Sequence, residues 1–289
     1  MPSVEGNKST WNQTYDWASA GDEWSSPWGG AETQWHATLL PRLRPFIPTG
    51  TICEIAPGYG RWTQYLLGQC DRYVGVDLAS RCVDACRERF SSSDHASFEV
   101  NDGRSLPMLG ADSVDFVFSF DSLVHVEADV IAAYLGELAR VLAPDGIAWL
   151  HHSNLGQFDR ELRRMEQAEA VARRVPVLRS PLTKLELIEW GHWRAESMTA
   201  ARLVDMAADV KLACVGQEIV NWRGSRLIDC ISVVARPGSV WDRPNKLVRN
   251  RNFVNEGASA RSISAVFTSL MRRGSDSPAW PPLTGIDLT

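Results

Sequence analysis

Between Thr51 and Thr63 the sequence reads TICEIAPGYGRWT, and no other stretch restricts the fold as much. A β-prone run, Thr51 to Cys53, delivers an acid, Glu54, and Pro57, Gly58 and Gly60 then break the chain before a helical pattern starts. Glycines accept positive φ and let the backbone come close to a ligand. The first helical turn adds unpaired N–H groups and a positive dipole end. Such a turn suits a nucleotide-like cofactor, although an ordinary tight strand-to-helix turn reads the same locally. What is missing narrows the choice. A dinucleotide G-x-G-x-x-G would put a third glycine where Thr63 stands, and no G-K-S/T of a P-loop follows. A carboxylate at Glu54 would repel a pyrophosphate and could hold a cationic group.

From Thr51 to Arg140 strand and helix patterns alternate, as in a parallel sheet covered on both faces. After a helix over 61–67, the second strand ends at Asp77, nineteen residues beyond Gly58. Its two carboxylate oxygens suit a ribose diol, and equally an N-cap for the helix Ala79 to Phe90. A third strand, Ala96 to Val100, ends in Asn101, Asp102, Gly103, Arg104. Asp102 can accept from an amino donor, with an Asx turn as the alternative. The fourth strand, Asp112 to Phe120, leads into Asp121 and His125, and a helix over 127–142 follows. The fifth, Ile147 to His152, carries His151 and His152, which face opposite ways on a strand.

Glu54, Gly58 and Gly60 fit the pattern E/D-x-x-x-G-x-G, and downstream stand S-F-D-S-L-V-H-V-E and L-A-R-V-L-A-P-D-G. In this ordered combination the chain resembles class I S-adenosylmethionine (SAM) methyltransferases over about residues 50–236. The resemblance implies an α/β, Rossmann-like fold: a mostly parallel seven-stranded sheet with a closing antiparallel strand. It places Glu54 near the methionine ammonium, Asp77 on the ribose and Asp102 on the adenine amino group, with Gly58 and Gly60 making room. Ala56, Leu78, Gly103, Phe120, His125 and Trp28 complete the expected cofactor set, and His125 is either an acceptor-site residue or a helix-start residue under the adenosine. For a hydroxyl acceptor, a neutral imidazole, His152 or His151, is the expected base, with Asp121 orienting it or substituting for it. The alternative is that the histidines only hydrogen-bond to the neighbouring loop.

Three segments are expected. Residues 1–50 form an arm with five of the twelve tryptophans and a helix from Ala31 to Leu43. Its rings either patch the core or form a lid over cofactor and acceptor; Tyr15, Trp17, Trp28 and Gly29 are the first positions to test. Residues 51–236 form the core, with a helical insertion at 155–205 as an acceptor wall. Tyr15, Trp17, His192, Trp193, Arg194, Gln217, Glu218 and Trp222 are the acceptor candidates, with Asn221 beside them. Residues 237–289 form an extension whose helix either caps the pocket or seals a homodimer.

A net charge of −5 and a pI near 5.7 argue against a broad basic surface for nucleic acid. No apolar run reaches membrane-spanning length, and MPSVEGNKST lacks signal-peptide features, so a cytoplasmic location is expected. The six cysteines are scattered without metal spacing, and no acidic pair stands at the fourth strand tip, so no metal is expected. The W-G-G, H-H-S-N, Q-E and N-W segments look most like bacterial methyltransferases acting on sugars in surface glycans or glycosylated natural products. The expected acceptor is therefore a small sugar-containing molecule methylated on a hydroxyl. The alternatives are N-methylation of an amino sugar or other natural-product amine, and a SAM-fold protein that binds without catalysis.

Overall fold

A computed structural model describes residues 3–185, 188, 193–222 and 224–268. Eight strands form one sheet: β1 Thr49–Ile55, β2 Cys70–Asp77, β3 Ala96–Val100, β4 Val114–Ser119, β5 Leu142–Ser153, β6 Ala213–Val220, β7 Asp229–Ala235 and β8 Lys246–Asn250. Their order is β3-β2-β1-β4-β5-β7-β6-β8. The first five run parallel, β7 is antiparallel to both its neighbours, and β8 is parallel to β6. This is the expected Rossmann-like sheet with one strand more. The eighth lies in the C-terminal extension, where only a helix was expected. It is exposed along most of its length and carries Lys246 and Arg249, the composition of a strand at an edge.

The helices are α1 Val4–Ser9, α2 Ala31–Gln34, α3 Leu40–Leu43, α4 Thr63–Leu66, α5 Ser80–Arg89, α6 Ala128–Val141, α7 Asp159–Arg174, α8 Arg179–Lys184, α9 Ala200–Asp209 and α10 Glu256–Thr268. The expected helix Ala31 to Leu43 is α2 and α3 joined by a π-helical stretch, Trp35–Leu39. The wide turn sits just before Pro41, which has no N–H to give to the helix ladder. The helical insertion folds as α7 and α8, and most of 186–192 lies outside the described residues.

Central strands are buried on both faces, and alternate residues feed two separate cores. Phe116, Phe118 and Phe120 after β4, with Trp149 on β5, join an aromatic layer that includes Trp28, Trp35, Trp62, Trp222 and Phe253. Val117, Ala148 and Leu150 face an aliphatic layer with Leu135 and Leu138 of α6 and Leu203 of α9. This alternation sends His151 to the aromatic side and His152 to the other. The C-terminal extension packs inward: Phe253 is fully buried, its carbonyl accepts from Trp28 Nε1 (3.0 Å), and its ring stands 6.3 Å from that of Phe120.

Candidate cofactor and acceptor site

One cavity runs along the C-terminal tips of β1, β2 and β4, where ligands lie in open α/β sheets. The β1 turn forms its floor. Gly58 has φ +58°, and a Cβ there would press on the Trp17 ring at 3.0 Å. Ala56, where φ is +58°, also lines the cavity, and its N–H donates to the Val76 carbonyl (2.7 Å). Asp77 stands in the wall with both oxygens accepting backbone hydrogen bonds, Oδ2 from Gly58 N (3.1 Å) and Oδ1 from Ala79 N (2.8 Å). Asp77 is thus not the helix N-cap, which is Ala79; it holds the N–H of that cap residue. Burial pushes its carboxyl up to about 6, against those N–H donors.

Leu78, Gly103, Tyr134, His125, Val126, Phe120 and Asp121 continue the wall. His125 is buried; its ring faces the Trp193 carbonyl (Nδ1, 3.2 Å), and burial pushes it down to about 4, so it is neutral at pH 7. The N-terminal arm closes the outer side with Val4, Asn7, Trp11, Trp17 and Trp24. Asn7 Nδ2 donates to the His125 carbonyl (2.8 Å), and Trp17 lies flat on Tyr59 at 4.6 Å and 7°. Arm residues therefore form part of the cavity itself.

Two expected cofactor acids stand elsewhere. Glu54 is buried behind the turn and does not line the cavity; its Oε2 accepts from Thr63 Oγ1 (2.8 Å) and from the Tyr73 hydroxyl. Asp102 is exposed, and its Oδ1 accepts from Arg104 N (2.8 Å) and Ser105 N (2.7 Å), an Asx turn. Those N–H bonds outweigh burial and hold its carboxyl below the usual range. Gly60 is also absent from the lining; its φ is +84° and a Cβ would strike the Phe90 ring at 2.3 Å, so its role is packing.

Asp121, also in the wall, turns with φ +63°, and its Oδ2 accepts from Arg61 Nη2 (2.9 Å). Arg61 also reaches Ser25 Oγ (3.4 Å) and lies over the Trp62 ring (4.7 Å). His151 sits behind this wall: its Nδ1 accepts the Asp121 N–H (3.0 Å), its Nε2 is 3.3 Å from Asp229 Oδ2, and its ring stacks on Phe120 (4.5 Å) and Trp222 (5.7 Å). Asp229 takes a two-point contact from Arg194, Nε to Oδ1 (3.0 Å) and Nη2 to Oδ2 (2.9 Å). Burial would raise the Asp229 carboxyl, but the Arg194 charge and His151 hold it well below the usual carboxylate range.

The remaining expectations are corrected by position. His152, the first choice for the base, lies on the aliphatic side, with Nδ1 on the Ser153 carbonyl and Nε2 on Ser232 Oγ, both at 2.8 Å. Burial pushes it down to about 4. Trp28 is a core residue against Trp222 and Phe253, not a cavity residue. Tyr15 donates to Glu23 (2.7 Å) and packs within the arm outside the lining. Gly29 meets Arg261 of the extension. Gln217 is bonded to the Ala200 carbonyl, Ser232 and Asn245; Glu218 binds Arg42 and Asn250. Arg194 and Trp222 are buried against each other (4.7 Å), Asn221 donates to the Gly224 carbonyl, and Trp193 is 62 % exposed. His192 lies outside the described residues. Arg61 and Trp62, unmarked in the sequence, also line the wall; only their place directly after Gly60 could have drawn attention to them.

The cavity fits an adenosyl cofactor: a buried acid at the β2 tip, a backbone opened at Gly58, and apolar walls at Leu78 and Val126. Among the described residues no group of three or more His, Cys, Asp or Glu could hold a metal, and no helix is long and apolar enough to cross a membrane.

Residues 52–146 match the family model described as a methyltransferase domain. The biotin biosynthesis bifunctional protein BioHC of Cellvibrio japonicus is 32% identical over 42% of this chain and 22% of its own length. Nodulation protein S of Rhizobium tropici is 24% identical over 44% of this chain and 53% of its own. The chain thus spans about a fifth and about half of the curated relatives it matches. Among solved structures, the PH0226 protein from Pyrococcus horikoshii OT3 superposes with a TM-score of 0.51 at 19% identity, over 71% of this chain and 91% of that one, a likeness of fold. Strand order and domain match agree: residues 52–146 are similar to a methyltransferase domain, and the chain shares the fold of PH0226.

Proposed function

We propose that the chain transfers the methyl group of SAM to a hydroxyl of a sugar or sugar-like ring. The cofactor supplies a methyl already activated on a sulfonium. Asp77 would hold the ribose hydroxyls, and the Gly58 turn would admit the amino-acid end; positioning then supplies much of the acceleration. The observation that carries the reading is the Arg61–Asp121 pair (2.9 Å) in the wall at the β4 tip, beside the rings of Trp62 and Phe120. A carboxylate accepts an O–H, a guanidinium donates to the same kind of oxygen, and flat rings suit sugar C–H surfaces. Asp121 is the proposed base. The hydroxyl proton becomes acidic as the C–O bond forms, so a carboxylate can take it at that stage.

A second reading, N-methylation of an amino sugar, draws on Asp22 Oδ1 and Glu23 Oε2. These buried oxygens have no partner among the described residues and flank Gly21 and Trp24 of the cavity wall, and they would favour an ammonium. Transfer of labelled methyl from SAM to matched glycosides and amino-glycosides separates the two. Asp121→Asn should lower turnover by about 100-fold or more while S-adenosylhomocysteine still binds. Turnover within a few-fold of wild type removes Asp121 from the chemistry.

A further inference from the structure

Asp121 stands in the cavity wall in a backbone conformation that its neighbours must enforce. Its φ of +63° is left-handed, a region that disfavours residues other than glycine. The Asp121 N–H donates to His151 Nδ1 (3.0 Å), its Oδ2 accepts from Arg61 Nη2 (2.9 Å), and its Oδ1 lies 3.9 Å from Arg194 Nη2. The contacts to His151 and Arg194 close into one ring of residues. His151 Nε2 lies 3.3 Å from Asp229 Oδ2, and the same oxygen takes Arg194 Nη2 (2.9 Å), the nitrogen that also faces Asp121. Arg194 is fixed in turn by its neighbour: Ala195 N donates to the Val124 carbonyl (2.9 Å), and the Ala195 carbonyl accepts from Ser153 Oγ (2.6 Å).

His151, Asp229 and Arg194 are all buried, and none of them lines the cavity. A buried ion pair is a poor way to stabilise a fold, since apolar groups of the same size serve as well or better. Apolar groups could not, however, accept the Asp121 N–H or set a second guanidinium behind its carboxylate. An Nδ1 that accepts an N–H carries no proton, so the ring proton of His151 sits on Nε2, toward Asp229. Asp229 thus selects the tautomer, and Arg194 holds Asp229. We propose that His151 is a positioning residue for methyl transfer: with Asp229 and Arg194 behind it, it keeps the Asp121 carboxylate in place at the acceptor. This rests on the reading of Asp121 as the base. His151 itself exchanges no proton with the acceptor, because it lies behind Phe120 and Asp121, outside the lining.

Nitrogen-15 NMR of the labelled wild-type protein tests the geometry with no variant and no acceptor. A scalar coupling across the hydrogen bond should link the Asp121 amide nitrogen to His151 Nδ1, with the ring proton on Nε2. Absence of that coupling, or a proton on Nδ1, overturns the proposal. Kinetics then use SAM and the methyl hexopyranoside that wild type methylates fastest. His151→Leu removes the acceptor of the Asp121 N–H, and kcat should fall about 100-fold, the loss that a small misplacement of a reacting group causes. Acceptor KM should stay within about threefold, because the lost contact acts only on the transition state. His151→Asn, whose side-chain oxygen can accept the same N–H, should recover about tenfold or more of the loss. Turnover of H151L close to wild type, or equal loss in H151L and H151N, overturns the positioning role. If Asp121→Asn keeps its turnover, or wild type methylates no glycoside, the base assignment fails and the proposal with it; if D121N loses turnover and H151L does not, the base stands and only the positioning role falls.

Discussion

Glu54→Gln probes the physics of the cofactor end through a pH-dependent stability. Glu54 is 1 % exposed, and its carboxyl is pushed from 4.5 to about 7 by burial, against hydrogen bonds from Tyr73 and Thr63 and the charge of Arg61. A carboxyl whose folded value is raised costs stability in its ionised form. Below pH 4.5 it is protonated in both states and costs nothing. Between 4.5 and 7 the unfolded chain ionises while the folded one holds its proton, so stability falls as pH rises. Above 7 both are ionised and the cost is constant. The span, 7 − 4.5 = 2.5 units, at about 1.36 kcal/mol each, comes to about 3 kcal/mol. Gln keeps the volume and an oxygen for both hydroxyls but cannot ionise.

Guanidinium unfolding of wild type and E54Q at half-unit steps from pH 4.5 to 8 supplies the measurement. His125 and His152, both held near 4 from 6.5, are neutral in the folded state and protonated in the unfolded one between those values, so they add stability as pH rises from 4 to 6.5. They act alike in both proteins and cancel in the difference. Wild type should lose about 3 kcal/mol relative to E54Q between pH 4.5 and 7, then run parallel to it. A difference that is flat across the range refutes the reasoning, since Glu54 would then be solvated or fully charge-paired.

The other perturbations separate support from chemistry. Asp77→Asn keeps one acceptor for backbone N–H but loses the charge-assisted hold on a diol; calorimetry should show S-adenosylhomocysteine binding weakened roughly 10-fold or more. Arg194→Met leaves Asp229 buried without its guanidinium, a loss of about 3–5 kcal/mol that chemical denaturation would read at pH 7. His152→Leu should cost about 1–3 kcal/mol of stability through its two lost hydrogen bonds, with kcat of the folded fraction within twofold; a large fall in kcat would return His152 to the chemistry.

Most of the sheet was legible because its grammar is local: a strand, an acid or glycine turn and a helix, repeated, leave little choice of architecture. Strand β8 escaped because an exposed edge strand has no apolar face to announce it. The same limit governs the site. Sequence alone establishes that His151 and His152 point opposite ways, but which of them meets the ligand side depends on the aromatic layer that Phe118, Phe120 and Trp149 build from distant strands. Asp102 sits at the expected tip, yet two N–H groups further along its own turn capture its side chain. Trp28 stood among the arm's tryptophans, which the sequence leaves as core patch or lid; its indole reaches Phe253, 225 residues away, and settles it in the core. Arg61 is invisible without the register that brings β4 alongside β1 and so sets Asp121 beside it.

How a ligand enters follows from the unequal anchoring of the two flanking segments. The helix of α2 and α3 is tied by Arg42 to Glu218 of β6 (2.7 Å) and Glu256 of α10 (2.8 Å), and Asn250 of β8 bonds both carboxylates at 2.8 Å. This network binds that helix, the sheet edge and the extension into one unit. The arm before it, residues 3–24, meets the cavity mainly through ring stacking and few hydrogen bonds, of which Asn7 to His125 is the buried one. Opening there breaks weak contacts, whereas opening at Arg42 would strip two carboxylates from a half-buried guanidinium. Hydrogen exchange should therefore be fast over residues 3–24 and slow over 31–43 in the free protein. Saturating S-adenosylhomocysteine should slow the first and leave the second unchanged, because only the first forms the outer wall of the cofactor cavity. Equal protection of both segments, or protection that appears only at 31–43, would mean that the cofactor enters past the helix and that the aromatic arm is a fixed part of the core.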